Sequence, residues 1–213
     1  AGGQQTTFTV NVNGDGAASD LEDGAPNGGD GNNDGAPDST QMHVASLPSL
    51  ITGQYVTLAA SAGMTLTNVS FPATPTSGAD SLPADVSFPL GFPTFNLTGM
   101  GAGGSAEVTM YMTSTAGINT YYKYDTTNGW YEFDYDTGTD TGSEVVGNTI
   151  ALYFVDGARG DSDLSANGTI SDPGGPAFKL PTYDLTVSTV GGGSVTVPSG
   201  SYPAGTVLTL QAV

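Results

Sequence analysis

Residues 11–41 repeat one twelve-residue pattern twice, and that pattern confines the stretch to two tight polar loops. The first copy runs Asn11-x-Asn13-x-Asp15-Gly16-x-x-Ser19-x-x-Glu22, the second Asp30-x-Asn32-x-Asp34-Gly35-x-x-Asp38-x-x-Gln41. Oxygen-bearing side chains at positions 1, 3, 5, 9 and 12 around a Gly at 6 let a short loop wrap a hard cation such as Ca2+. The Gly permits the sharp turn, and the carbonyl of residue 7 (Ala17, Ala36) is a further donor. Asn11 stands where Asp is usual, and Gln41 where Glu is usual. One match in an Asp/Gly-rich loop carries little weight; two in tandem carry much more.

The flanks deny these loops long helices. Pro37, with no N–H to give, occupies position 8 of the second loop, and Pro26, Gly24, Gly28, Gly29 and Gly31 break the surrounding chain. A paired EF-hand is therefore not expected. The segment instead resembles thrombospondin type 3 repeats and dockerin-type loops, which implies that calcium takes the place of a hydrophobic core. Asp15, Asp20, Glu22, Asp23, Asp30, Asp34 and Asp38 lie here without one Lys or Arg. Such like charges repel unless cations intervene. Two Ca2+ ions are expected, one on Asn11, Asn13, Asp15, Ser19 and Glu22, the other on Asp30, Asn32, Asp34, Asp38 and Gln41. The competing interpretation is a solvated acidic linker.

Charge excludes several partners. The 213 residues carry 21 acids against 3 bases, a net charge of −18. Nucleic acid is excluded, since phosphate binding needs clustered Lys and Arg, and anionic lipid is disfavoured. No stretch approaches the ~18 apolar residues of a membrane span. The absence of cysteine removes disulfides, thiolate zinc sites and thiol nucleophiles. Ala1-Gly2-Gly3-Gln4 is compatible with a mature end left by signal-peptide removal. An extracellular, secreted protein without disulfides needs another source of rigidity, and calcium is the expected one.

From residue 44 to 178 the chain predicts an all-β sandwich of about ten strands. Tyr55–Ala59 and Met64–Val69 are short strands around a Ser-Ala-Gly turn, and Val108, Met110 and Met112 share one strand face. Residues 121–124 and 130–135 flank Asn128-Gly129, a strong hairpin signal. Ile150–Val155, almost wholly apolar, predicts a central strand buried on both faces. Pro89 and Pro93 place the Phe88–Phe95 segment at an edge or a bulge. The resulting division is an N-terminal strand (1–12), the loops (13–43), the sandwich (44–178) and a short C-terminal β module (179–213).

Other features invite chemistry. Tyr121, Tyr122, Tyr124, Trp130, Tyr131, Phe133 and Tyr135 would stack on sugar rings if exposed, but by default such rings are core and cross-strand pairs. His43 is the only histidine, and no Ser/His/Asp set assembles around it. Arg159-Gly160-Asp161-Ser162 spells an integrin-binding motif that reads as coincidence in so Gly/Asp-rich a chain. Asp156, Asp161, Asp163, Asn167 and Asp172 form a candidate third cation site, although their spacing fits no single loop template. Nothing sets two carboxylates across a cleft for glycoside hydrolysis. The chain is expected not to be an enzyme.

Residues 30–178 resemble the choice-of-anchor U family of exported bacterial proteins. The resemblance rests on Asp30-Gly-Asn-Asn-Asp-Gly-Ala-Pro-Asp-Ser through Val44-Ala-Ser-Leu-Pro, on Tyr55-Val-Thr-Leu, Pro83-Ala-Asp-Val-Ser-Phe-Pro-Leu-Gly-Phe, Tyr121-Tyr-Lys-Tyr and Trp130-Tyr-Glu-Phe, on Phe154-Val-Asp-Gly-Ala-Arg-Gly-Asp-Ser-Asp-Leu-Ser-Ala-Asn-Gly, and on Asp172-Pro-Gly-Gly-Pro-Ala. It implies a secreted β domain of surface proteins and supplies no catalytic residues. Tyr183-Asp-Leu-Thr-Val-Ser, Gly191-Gly-Gly-Ser-Val-Thr-Val and Ser201-Tyr-Pro-Ala-Gly-Thr-Val-Leu-Thr-Leu-Gln-Ala resemble the first half of an internalin-type B-repeat. Three short strands alone leave an open edge. Thr6–Val12 alternates as a free strand, with Phe8, Val10 and Val12 on one face. Donated to another copy's open edge, that strand would build a filament. The expected role is a calcium-stabilised surface structural or adhesive protein that self-associates or meets other surface proteins. A carbohydrate-binding module with a glycan ligand is the alternative.

Overall fold

The computed structural model describes residues 13–75, 81–115 and 117–211. Two antiparallel sheets form the body. One has the order β1-β2-β6-β10-β9, built from β1 (Val44–Pro48), β2 (Tyr55–Ala60), β6 (Ser105–Met112), β10 (Thr149–Val155) and β9 (Gly142–Val146). The other has the order β3-β5-β11-β7-β8, from β3 (Thr65–Ser70), β5 (Thr94–Thr98), β11 (Thr169–Lys179), β7 (Thr120–Asp125) and β8 (Gly129–Glu132). The two-residue strand β4 (Val86–Ser87) also pairs with β11. Among the described residues eleven strands lie between residues 44 and 179, close to the ten or so expected. The turn between β2 and β3 changes sheets rather than closing a hairpin.

The period of two sets the core. Val108, Met110 and Met112 of β6 face Leu58, Ile150, Leu152 and Phe154 within one cluster, together with Leu66, Phe95, Leu97, Tyr121, Phe133 and Ile170 from the other sheet and its loops. Fully burying an apolar side chain of this size stabilises by roughly 1.5–3 kcal/mol. A second cluster, Val86, Phe88, Phe92, Tyr122 and Ala177, covers the opposite face of the second sheet. Segment 82–93 thus caps that sheet from outside, its prolines holding residues 88–93 out of the ladder.

This second layer corrects one expectation. Strand β10 alternates between buried and half-buried residues, so it buries one face although it lies between β6 and β9. Its outer face is half-buried; there Tyr153 donates to Glu144 (3.3 Å) and meets the Tyr135 ring edge-on (5.1 Å between centroids). The strand buried on both faces is β7: Tyr121 and Lys123 point between the sheets, and Tyr122 packs under Phe88 and Phe92. The predicted hairpin is β7–β8. Gly129 has φ +68°, and Asp125 accepts from the N–H groups of Thr127 and Asn128 (2.8 and 2.6 Å).

The C-terminal module holds two strands among the described residues, β12 (Thr182–Leu185) and β13 (Gly200–Pro203), not the three expected. Thr196 N–H donates to the Gln211 carbonyl (3.0 Å). Tyr183, Val190, Val207 and Leu210 are exposed.

Candidate metal centre

The first loop docks where β3 departs from regular pairing. The β3–β5 register shifts between Thr67 and Ser70, and Asn68 takes φ +54°. Val69 N–H there donates to the Asp15 carbonyl (2.8 Å). Gly16, at φ +112°, lies so close that a Cβ would sit 2.5 Å from Val69 N, which no side chain tolerates. Ala17 enters the sandwich core. Tyr55 Oη donates to the Leu21 carbonyl (2.7 Å), and Ala60 and Leu66 N–H groups donate to the carbonyls of His43 and Met42 (2.8 and 2.9 Å). The loop segment is therefore fastened along β1, β2 and β3.

Its acids are turned inward. Asp15, Glu22 and Asp38 are each fully buried. Glu22 arrives on the single helical turn Ser19–Glu22, and Asp38 opens the 3-10 turn Asp38–Thr40. Between them stands Asn13. Its Nδ2 lies 2.9 Å from Asp15 Oδ2, 3.4 Å from Glu22 Oε2, 3.3 Å from the Asp38 carbonyl and 3.1 Å from the Gln41 carbonyl. An amide nitrogen has two hydrogens to give, and here four oxygens face it. Glu22 Oε1 and Asp38 Oδ1 are buried without a hydrogen-bond partner, although the Ser46 main-chain N–H lies near enough to the Glu22 carboxyl to favour its charged form.

Electrostatics reflects that deficit. Burial, then the neighbouring charge of Asp15, pushes the Glu22 carboxyl up to about 8. Burial also raises Asp38, against hydrogen bonds from Ser46 Oγ (2.5 Å) and Gly31 N–H (2.9 Å). The chain's three basic side chains are engaged elsewhere. Lys123 meets Asp172, Lys179 meets Glu132 (2.6 Å), and Arg159 donates to the carbonyls of Glu132, Asp134 and Thr141.

The second loop is more open. Asp34 and Ala36 present oxygens to the Gln41 side-chain amide, each 3.1 Å from Nε2. Asn32 donates to Asp34 (3.0 Å), while Asp30 accepts from the N–H groups of Asp34 and Gly35 (3.0 and 2.9 Å). Desolvation notwithstanding, the Ala36 N–H, Asn32 and Gln41 hold Asp34 below the usual carboxylate range. Asp38, expected in this loop, directs its carboxylate to Ser46 and Gly31 and its carbonyl to the first centre. Gln41 is shared likewise, side chain to the second loop and carbonyl to the first. Asn11 lies outside the described residues. No group of three or more His, Cys, Asp or Glu spaced to hold a metal exists among the described residues. The first centre accordingly draws on two carboxylates, one amide and two main-chain carbonyls. Those carbonyls had no sequence signal.

The third candidate group does not converge on one point. Asp156 Oδ2 accepts from Gly103 and Gly168 N–H (both 2.8 Å), and Asp161 from Ser171 and Gly157 (3.0 and 2.9 Å). Asp163 binds Ser165 N–H and Asn167 Nδ2 (2.8 and 2.9 Å). Asp172 turns to Lys123 and Tyr121. Four of these five acids and amides staple the loop to itself and its neighbours. Asp161 is fully buried, and Arg159 packs over Phe133 (4.9 Å to the centroid), so the Arg-Gly-Asp string is not displayed. Most aromatic hairpin rings are packed inward: Tyr121, Tyr122 and Phe133 are buried, and Trp130 lies against Phe88, Phe92 and Tyr124. No helix of the described residues is long and apolar enough to cross a membrane. Comparison with family models, curated proteins and solved structures gives no match.

Proposed function

We propose that residues 13–41 are a calcium-held clasp on the β-sandwich of an extracellular structural or adhesive protein. One observation carries this: a single Asn13 amide nitrogen faces four oxygens, with an unpartnered buried oxygen of Glu22 alongside. With its amide turned over, Asn13 would add Oδ1 to Asp15 Oδ2, Glu22 Oε2 and the carbonyls of Asp38 and Gln41. Ca2+ takes six to eight such hard oxygens, and waters can supply the rest. Its charge would satisfy buried carboxylates that no Lys or Arg reaches. The second loop is proposed to hold a weaker, more exposed ion on Asp30, Asn32, Asp34 and Gln41.

A surface role accords with the acidic, cysteine-free composition and with the resemblance to choice-of-anchor U domains. Self-association is the proposed mode of assembly. The apolar residues left exposed around β12 and β13 favour a partner there, and segment 6–12, which lies outside the described residues, is the proposed donor. Titration calorimetry of chelator-treated protein tests the calcium reading. Saturable calcium binding that loses one class of sites in Asn13→Ala supports it; no heat at millimolar calcium refutes it.

A further inference from the structure

Within the sandwich, Lys123 of β7 and Asp172 of β11 meet with both side chains wholly buried. Lys123 is paired in register with Gly174, which places Asp172 diagonally across the ladder on the same face. The lysine nitrogen stands among rings, 5.3 Å from the Phe133 centroid and 5.1 Å from that of Phe154. Its contact is Asp172 Oδ1, while Tyr121 Oη donates to Oδ2 at 3.0 Å. Gly174 makes the space: a Cβ there would overlap the Tyr121 ring and Asp172 Oδ1. An ion pair in such a place is a poor stabiliser, because desolvation of two charges offsets most of their attraction.

We propose that this cluster is a self-modification site, where Lys123 Nζ and Asp172 Cγ join in an intramolecular amide bond. The step is a condensation of neutral amine with carboxylic acid. The Nζ lone pair attacks Cγ, and negative charge gathers on Oδ2, where the Tyr121 hydroxyl is already aimed. The Nζ–Cγ bond forms, the Cγ–Oδ1 bond breaks, and Oδ1 departs as water with one proton from Nζ and the acid's own proton. Nothing is oxidised or reduced, and no co-reactant is required.

The surroundings favour this step. Burial lowers the lysine's pKa and raises the aspartate's, in each case outweighing their mutual attraction, so it shifts both groups toward their reactive neutral forms. The strand register holds the two groups in contact, which removes the entropic cost of their meeting. Aromatic walls exclude the water that would reverse the reaction. The product links residues 49 apart and ties β7 to β11, the strand that also pairs with β4 and β5. In a chain without cysteine it supplies what a disulfide supplies elsewhere.

Tryptic peptide masses of the folded, then denatured, full chain test the proposal. The only trypsin sites are Lys123, Arg159 and Lys179. An amide at Nζ blocks cleavage after Lys123. It also leaves peptide 160–179 attached to the peptide carrying Lys123, at the summed mass less one water. Lys123→Arg is expected to release peptide 160–179 at full mass. Tyr121→Phe is expected to slow the bond, leaving a linked fraction several-fold smaller at early times. Wild-type protein, shown folded by near-UV circular dichroism, that is cut after Lys123 and frees 160–179 at full mass overturns the proposal. An unchanged linked fraction in Tyr121→Phe overturns the part given to the hydroxyl.

Discussion

Asn13 and Glu22 meet across the first loop with Nδ2 3.4 Å from Oε2, while the other Glu22 oxygen, Oε1, is buried and receives no donor. A carboxylate so placed is destabilising alone and useful only with a cation. Glu22→Gln therefore changes sign with calcium. In chelated protein at pH 8 or above, the neutral amide is expected to raise stability by about 1–3 kcal/mol, the scale of an unsatisfied buried polar group. In millimolar calcium the same variant is expected to melt below wild type. Thermal melts with and without chelator check both halves.

The metal-free protein should lose stability between pH 4.5 and about 8. Glu22 rises from 4.5 unfolded to about 8 folded, so across that window the folded state holds a proton that the unfolded state has released. The Glu22 contribution is complete below pH 4.5 and vanishes as pH climbs through 8, opposite to an ordinary paired carboxylate. At the proposed site Ca2+ would replace that proton, so its apparent affinity should fall about tenfold for each pH unit that the pH is lowered below about 8. Denaturant melts of chelated protein at pH 5 and 8, beside calcium titrations at pH 6 and 8, measure both trends.

Gly174 carries no unusual backbone angle, and its need for glycine is steric. Gly174→Ala is expected to cost about 1–3 kcal/mol through overlap with Tyr121 and Asp172. Gly101→Ala, where a Cβ meets nothing within 4 Å, serves as the control and should lie near wild type. Chemical denaturation of the two variants decides.

Much of this was legible from residue types. Alternation located β6 and the β7–β8 hairpin, and the oxygen spacing drew attention to residues 13–41, whose calcium role is a proposal. What escaped has physical reasons. The carbonyls of Asp38 and Gln41 would complete the proposed first centre, yet every residue has a carbonyl, and these reach Asn13 across 25 and 28 residues. The all-apolar run of β10 resembled a doubly covered strand because composition does not reveal which face lacks a covering layer. Covering of β7 comes instead from segment 82–93, whose prolines gave only an edge signal. The Lys123–Asp172 pairing depends on register between distant strands. Its one sequence trace is a lone lysine in phase with the inward Tyr121.

A high-resolution structure of the protein prepared in millimolar calcium decides whether the first loop holds an ion. Anomalous density for one ion is expected between Asp15, Glu22 and the carbonyls of Asp38 and Gln41. Ligand distances should be ~2.3–2.6 Å, with Asn13 presenting oxygen to the ion. The Asn13 amide nitrogen still filling that position, with no ion beside Glu22, would contradict it.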